Sequence, residues 1–360
     1  MTPKRPALAL IAVLALIAMG CSDDGREGST PTATPPGAAE TPQPEACSGT
    51  LVVNSNSNTG EARLLTFRDG RASLSEPIGT GMIHPVVSPE GRRVAYYDIR
   101  PSPALWVADS DGRNARRLAD ILQLHDHNPP VWSPRGDRIA FESARSSSEG
   151  ARSNVWVVNA DGTGLANLTA TMFSADTPTW SPDGSRIAFM GREIESTNVY
   201  VVNSDGSGLR RVTNYDQGSF AFSGSWSPDG SLIAYLSNTT GNVDIFTVRP
   251  DGTGVTNLTR SPTPEFVAPV GHLPIEFSPD GKRLAFLSEA TGSVELYTIA
   301  TDGSGLRRVT DLAGSEFRQR WTRDGRCLTF YVSRPSPQGG IPVYVVREDG
   351  TGLIELTTLR

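Results

Sequence analysis

Few side chains in this sequence are equipped for chemistry, and they gather in a handful of segments. All four histidines of the 360 residues, His84, His125, His127 and His272, are among them. Imidazole nitrogens suit Zn²⁺ and Cu²⁺, so the His125-x-His127 pair, joined by His84 or His272, is one candidate transition-metal site, with Asp126 inside it. Arg318 and Arg320 flank Gln319, and alternate side chains of an extended strand share a face. Two guanidinium groups on one face favour a carboxylate, such as a peptide terminus or an acidic segment. The competing arrangement pairs both arginines internally with Glu316 or Asp311. Phe266 and His272 share one long segment, where an aromatic anchor could sit beside an imidazole. Three cysteines, Cys21, Cys47 and Cys327, complete the inventory.

What must position these residues is written six times along the chain. HPVVSPEGRRVAYYD begins at His84, PPVWSPRGDRIAFES at Pro129, TPTWSPDGSRIAFMG at Thr177, SGSWSPDGSLIAYLS at Ser223, PIEFSPDGKRLAFLS at Pro274 and RQRWTRDGRCLTFYV at Arg318. Their glycines Gly91, Gly136, Gly184, Gly230, Gly281 and Gly325 stand 45, 48, 46, 51 and 44 residues apart. A period in the mid-forties made of short strands specifies a β-propeller, one four-stranded antiparallel blade per repeat.

Each unit reads as strand, tight turn, strand, strand, hairpin, edge strand. Pro182 presets φ, Asp183 caps the turn and Gly184 tolerates positive φ. Before that turn stand Val87, Trp132, Trp180, Trp226, Phe277 and Trp321, bulky groups suited to the space between blades. The next strand carries large side chains on one face and a small alanine on the other, as in Ile187-Ala188-Phe189. Runs such as Val199-Tyr200-Val201-Val202 lack alternation because both faces are buried. An Asp-Gly-(Ser/Thr)-Gly hairpin then leads to a polar edge strand such as Leu209-Arg210-Arg211-Val212-Thr213.

Placing Gly70 over Gly206 lays Leu51-Val52-Val53 over Ile187-Ala188-Phe189. The all-β fold expected is therefore one propeller of seven blades, the first incomplete and lacking its innermost strand. Six blades, the N-terminal strands completing a shared one, is the alternative. Segments near 76–86, 119–131, 170–179, 214–225, 260–276 and 311–320 connect outer to inner strands and should surround the central channel. They hold every histidine, and rigid scaffolds concentrate binding residues on such loops. The candidate partner-binding set is His84, His125, Asp126, His127, Phe266, His272, Arg318 and Arg320.

The Trp-Ser-Pro-Asp-Gly turn followed by an apolar-Ala-aromatic strand resembles the TolB-type propeller repeat, over roughly residues 50 to 358. TolB carries an α/β domain ahead of its propeller, and a linker stands at that place here. The same propeller type precedes the hydrolase domain of prolyl-oligopeptidase-like enzymes, whose Gly-x-Ser-x-Gly elbow this sequence lacks. It also lacks a Walker A sequence, a dinucleotide fingerprint and paired-cysteine zinc spacing. The expectation is a non-catalytic module that needs no cofactor and binds a protein or peptide. The alternative is a carbohydrate-active or metal-dependent propeller enzyme using the channel as its active site.

Lys4 and Arg5 precede an apolar run from Ala7 to Met19, too short to span a bilayer and suited to a signal-peptide core. Ile17-Ala18-Met19-Gly20-Cys21 resembles a bacterial lipobox, which implies cleavage after Gly20 and lipid on Cys21. Residues 1–20 are thus expected to be a leader, 21–46 the anchor cysteine and a disordered Pro/Thr-rich linker, and 47–360 the propeller. Residues 22 to 46 contain five prolines and no large apolar side chain, too little to fold. An extracytoplasmic monomer, lipid-anchored to a membrane of the bacterial cell envelope, is expected. Removing Lys4 and Arg5 takes the formal charge from −6 to −8, which disfavours a nucleic-acid partner. In repeat register Cys47 aligns with Asp183 and Cys327 with Arg186, so both lie at the inner turns of blades that must meet if the ring closes. A disulfide between them is one expectation, two unpaired thiols the other.

Overall fold

The computed structural model describes residues 47–56, 61–68, 71–122, 128–144, 152–193, 195–216, 218–260, 275–289, 292–333 and 341–358. Within the unit Glu45–Arg360 they form seven antiparallel sheets, the seven blades of a propeller. Blade I has three strands, β1 (Ser48–Asn56), β2 (Glu61–Arg68) and β3 (Arg71–Leu74). Blade II is β4 (Ile83–Val87), β5 (Arg93–Asp98), β6 (Ala104–Asp109) and β7 (Arg116–Asp120). Blade III is β8 (Val131–Trp132), β9 (Arg138–Ala144), β10 (Ser153–Asn159) and β11 (Ala166–Asn167). Blade IV is β12 (Ser174–Trp180), β13 (Arg186–Arg192), β14 (Thr197–Asn203) and β15 (Arg210–Arg211). Blade V runs through β16 (Ala221–Trp226), β17 (Ile233–Ser237), β18 (Asp244–Val248) and β19 (Thr256–Asn257). Blade VI comprises β20 (Glu276–Phe277), β21 (Arg283–Ser288), β22 (Glu295–Ala300) and β23 (Arg307–Arg308). Blade VII ends the ring with β24 (Ser315–Trp321), β25 (Cys327–Ser333), β26 (Val343–Arg347) and β27 (Ile354–Glu355). Seven blades, the first short of a strand, is the architecture found, and the six-blade alternative falls away.

The turn residues act as their types dictate. In blade IV the Gly184 N–H donates to the Ser181 carbonyl at 2.8 Å with φ at 71°. Asp183 accepts from the hydroxyl of Ser181 at 2.6 Å and the N–H of Ser185 at 3.0 Å. Those donors hold its carboxyl at about 2.

The bulky residue before the turn does more than fill space. Trp132, Trp180, Trp226 and Trp321 are buried, and each indole N–H donates to a carbonyl on the inner strand of the preceding blade. The acceptors are Val86, Val131, Thr179 and Glu276, at 3.0, 3.1, 3.2 and 3.1 Å. Arg93, Arg138 and Arg186 lie over three of these rings at 5.1, 4.9 and 4.9 Å, adding cation–π attraction. Apolar clusters fill the gaps between blades, as where Ala188, Val199 and Val201 of blade IV meet Trp226, Ile233 and Tyr235 of blade V.

Blades I and VII meet differently. Cys47 and Cys327 are disulfide-bonded, with Cα atoms 5.8 Å apart. Around them pack Val53, Leu65 and Phe67 from blade I and Val343, Val345 and Leu356 from blade VII.

Candidate functional site

The inner strands of four blades carry a register break against their neighbours, between Ile83 and Val86, Asp176 and Thr179, Ser223 and Ser225, and Phe317 and Arg320. At three of these breaks a non-glycine residue takes a positive φ: His84 at 49°, Thr177 at 53° and Arg318 at 56°. Such backbone costs about 1 kcal/mol or more for a side chain with a Cβ and persists only when surrounding structure enforces it. A bulge re-aims the side chain it carries. Here it brings His84, Thr177 and Arg318 to the wall of a cavity of about 1630 Å³ along the ring axis, with Val86, Glu276 and Arg320 nearby.

Arg318 of blade VII reaches His84 of blade II, its Nη2 lying 2.6 Å from Nδ1. A guanidinium N–H can only donate, so the imidazole nitrogen accepts. Surrounding protein lowers the pKa of Arg318, and the positive charge of Arg320 pushes the same way. Arg318 forms no ion pair among the described residues, so it is an exposed cation on the channel wall whose one described side-chain partner is an imidazole nitrogen. Arg320 is different. Its Nη1 lies 3.5 Å from Oε1 of Glu276, whose Oε2 accepts the Trp321 N–H at 3.0 Å. Burial raises the Glu276 carboxyl, and the Arg320 charge opposes that rise.

Neither arginine uses the acids that the sequence offers as internal partners. Glu316 is buried, accepts from the Thr310 hydroxyl at 2.7 Å and is pushed up to about 8 by burial. Asp311 pairs with Arg308. The register break between Phe317 and Arg320 interrupts the regular alternation of β24, so Arg318 does not share a face with Glu316 and lines the channel instead.

The structure thus brings together His84, Arg318 and Arg320. His125, Asp126, His127, Phe266, His272 and Cys21 lie outside the described residues. Among the described residues no group of three or more His, Cys, Asp or Glu side chains is arranged to hold a metal ion. Phe317, stacked on Tyr331 at 5.6 Å, lines the same cavity. Elsewhere Phe220 and Phe222 tilt together at 4.7 Å and Arg152 lies 4.1 Å over Phe173.

Two features escaped the sequence. Glu276 could have been found by reading the position before the aromatic down the repeats: Val86, Val131, Thr179, Ser225, Glu276, Arg320. That column holds one acid and one base, in neighbouring copies. The second is a carboxyl pair between blades III and IV. Glu142 of β9 and Asp176 of β12 are both buried. Oε1 of Glu142 accepts from Asn128 Nδ2 at 2.7 Å and from the Thr177 N–H, while its Oε2 and Oδ1 of Asp176 have no partner. Burial pushes Glu142 up to about 7, and burial plus the Glu142 charge raises Asp176 well above its ordinary range.

A ring of seven antiparallel blades around a channel defines the class, a β-propeller with a cavity along its axis. The family description "TolB beta propeller domain" matches residues 69–275, and the chain belongs to that family. Over 61 residues it is 43% identical to the Tol-Pal system protein TolB of Geobacter sulfurreducens, a match covering 17% of this chain and 13% of that protein. Among solved structures, TolB from Acinetobacter baumannii superposes with a TM-score of 0.52 and 17% identity, over 82% of this chain and 76% of that one. A puromycin-hydrolyzing peptidase of Mycobacterium tuberculosis gives a TM-score of 0.63 and 18% identity, over 82% of this chain and 49% of that one. At these identities the structural likeness is one of fold, and the matched segment is a small part of the curated relative's length.

Proposed function

We propose that this propeller binds a protein or peptide partner at its channel mouth, without chemistry, and that an acidic or carboxylate-terminated segment of the partner enters the channel. The observation that carries this reading is Arg318: an exposed guanidinium re-aimed to the channel wall by a strained bulge and matched by no described acid. A carboxylate arriving there gains charge-assisted hydrogen bonds. Arg320 is already committed to Glu276. Arg318→Ala is therefore expected to weaken binding of a defined acidic peptide roughly tenfold or more with little change in melting temperature. Arg320→Ala should instead lower stability modestly, because the half-buried Glu276 would lose its cation. Equal loss of stability in both variants, with peptide affinity unchanged, would assign Arg318 to scaffolding. A catalytic role draws its support from the peptidase among the similar folds, and hydrolysis of the bound peptide by the purified protein is the result that would favour it.

The partner would be met outside the cytoplasm. Lys4, Arg5, the apolar run and Gly20-Cys21 support export and a lipid on Cys21, with the Pro/Thr-rich stretch as tether and a monomeric body. No helix among the described residues is long and apolar enough to cross a membrane. Cys21→Ser is expected to release the protein from the membrane fraction into the soluble one. Unchanged membrane association would place the anchor elsewhere.

A further inference from the structure

Among the described residues blade I has three strands, which leaves an open sheet edge on the channel. In β1, Leu51 and Val53 stand opposite Leu65 and Arg63 of β2. The carbonyls of Leu64 and Ala62 face the other way, accepting from Ser75 and Ile78 at 2.8 Å each. Backbone direction alternates along a strand, so Leu65 and Arg63 face β1, and Val52 and Asn54 turn their amide and carbonyl groups away from β2. No strand covers that edge among the described residues. The Val52 carbonyl accepts from the hydroxyl of Tyr331, in blade VII, at 2.9 Å. Residues of β1 and β2, including Thr50, Val52 and Thr66, line the same cavity as His84 and Arg318. Indeed, Arg318 touches His84 across the space where an inner strand of blade I would run.

The repeat shows what fits there. Val52 and Asn54 correspond to Ala188 and Met190 of blade IV, which pair with Thr179 and Asp176 of the inner strand β12. In that blade Asp176 meets the acid Glu142 from the preceding blade, and the two repel. At the vacant position the residue corresponding to Glu142 is Tyr331, a half-buried phenol pushed up to about 12 and near enough to Arg318 to feel its charge. The repelling carboxylate is thus replaced by a neutral phenol, whose hydroxyl donates to the Val52 carbonyl, and by a guanidinium that attracts an acid.

We propose that the edge of β1 takes an extended, carboxylate-bearing segment of a partner protein as the fourth strand of blade I. Main-chain hydrogen bonds to Val52 and Asn54 would supply affinity, and the acid beside Tyr331 and Arg318 would supply selectivity, as in strand addition generally. This rests on the channel-binding reading above and specifies how the partner is held.

The probe is a synthetic peptide Ser-Ala-Asp-Thr-Pro-Thr-Trp, the sequence of β12, added to the full chain while amide exchange is followed residue by residue. Val52 and Asn54 are expected to exchange fast alone and roughly tenfold or more slower with saturating peptide. Leu51 and Val53, already paired with β2, serve as internal standards of an intact blade. N-methylation of the peptide at Asp and at the second Thr removes its ladder donors and should abolish the slowing. Asp→Asn in the peptide, or Arg318→Ala in the protein, should weaken binding. Slow exchange at Val52 and Asn54 without peptide would mean that this chain or a second copy covers the edge, and would overturn the proposal. Failure of millimolar peptide to slow these amides would also overturn it. Arg318-dependent binding with unaltered exchange would defeat strand addition while leaving the channel-binding reading intact.

Discussion

Removal of the Cys47–Cys327 disulfide is expected to be the costliest single change to this fold, at about 5 kcal/mol. The bridge spans 280 residues of sequence, and chain-entropy estimates for a loop of that length give a penalty of this size in the unfolded state. Its Cα separation of 5.8 Å falls inside the range that a disulfide accepts without backbone movement. Its position multiplies the effect. Where a Trp stands in the next blade, its indole N–H latches onto the inner strand before it, whereas blade I has no inner strand among the described residues to supply such a latch. The bridge, the Tyr331–Val52 hydrogen bond and the apolar cluster around Cys47 are what hold blade I to blade VII. For a body of roughly 300 residues the loss corresponds to a fall in melting temperature of about 8 °C. Cys47→Ala/Cys327→Ala should show it, and mild reduction of the wild type should reproduce it. Denatured, unreduced mature protein should yield no labelled thiol from this pair. Coincident melting of the oxidised protein and the double variant would show that the ring closes without help from the bridge.

How much of this was legible in the sequence follows from what repeats and what does not. The Ser-Pro-Asp-Gly turn, the Ile187-Ala188-Phe189 type of strand and the mid-forties period recur, so blade, strand order and ring could be read directly. Even the missing strand was visible, because residues 50 to 76 match only the later part of a unit. The indole latch was not, since a tryptophan between blades satisfies the apolar pattern whether or not its N–H finds a carbonyl. Arg318 and Arg320 both line the channel, but their partners are not legible in the sequence. Glu316 and Asp311 are near them in sequence. Glu276 and His84 are near only in space, one supplied by the preceding blade and the other across the vacancy in blade I. The Glu142–Asp176 pair was equally hidden, because the two acids belong to different repeats and meet only where neighbouring blades pack.

That acid pair leads to the second large effect, a loss of stability as pH rises. Glu142 is held at about 7 in the fold by burial, against an ordinary value near 4.5, and Asp176 is also raised, by burial first and then by Glu142. Asn128 and the Thr177 N–H ease the charge on Glu142, and Arg192 eases that on Asp176, without cancelling burial. Tyr97 lies fully buried beside them and has no charge to offer in this range. Between roughly pH 4.5 and 7 the folded chain therefore binds more protons than the unfolded one, and stability falls as pH rises. The contribution is complete below pH 4.5 and gone above the folded value. Glu316, pushed up to about 8, extends the decline in the same direction. A rise of this size on Glu142 alone corresponds to roughly 3 kcal/mol. Glu142→Gln keeps an oxygen for Asn128 and the Thr177 N–H, offers an N–H toward Asp176 and carries no charge at any pH. It should flatten the profile and melt above the wild type at pH 8, with little gain at pH 4.5. Chemical denaturation at the two pH values measures the difference directly, and a variant weaker than wild type at pH 8 would refute the shared burial of these carboxyls. The pair also reaches the channel: the amide that Glu142 accepts belongs to Thr177, one of the three strained residues on its wall. Ionisation of Glu142 strengthens its hold on that amide while repelling Asp176 next to it, so a change in pH acts on the backbone that shapes the binding surface.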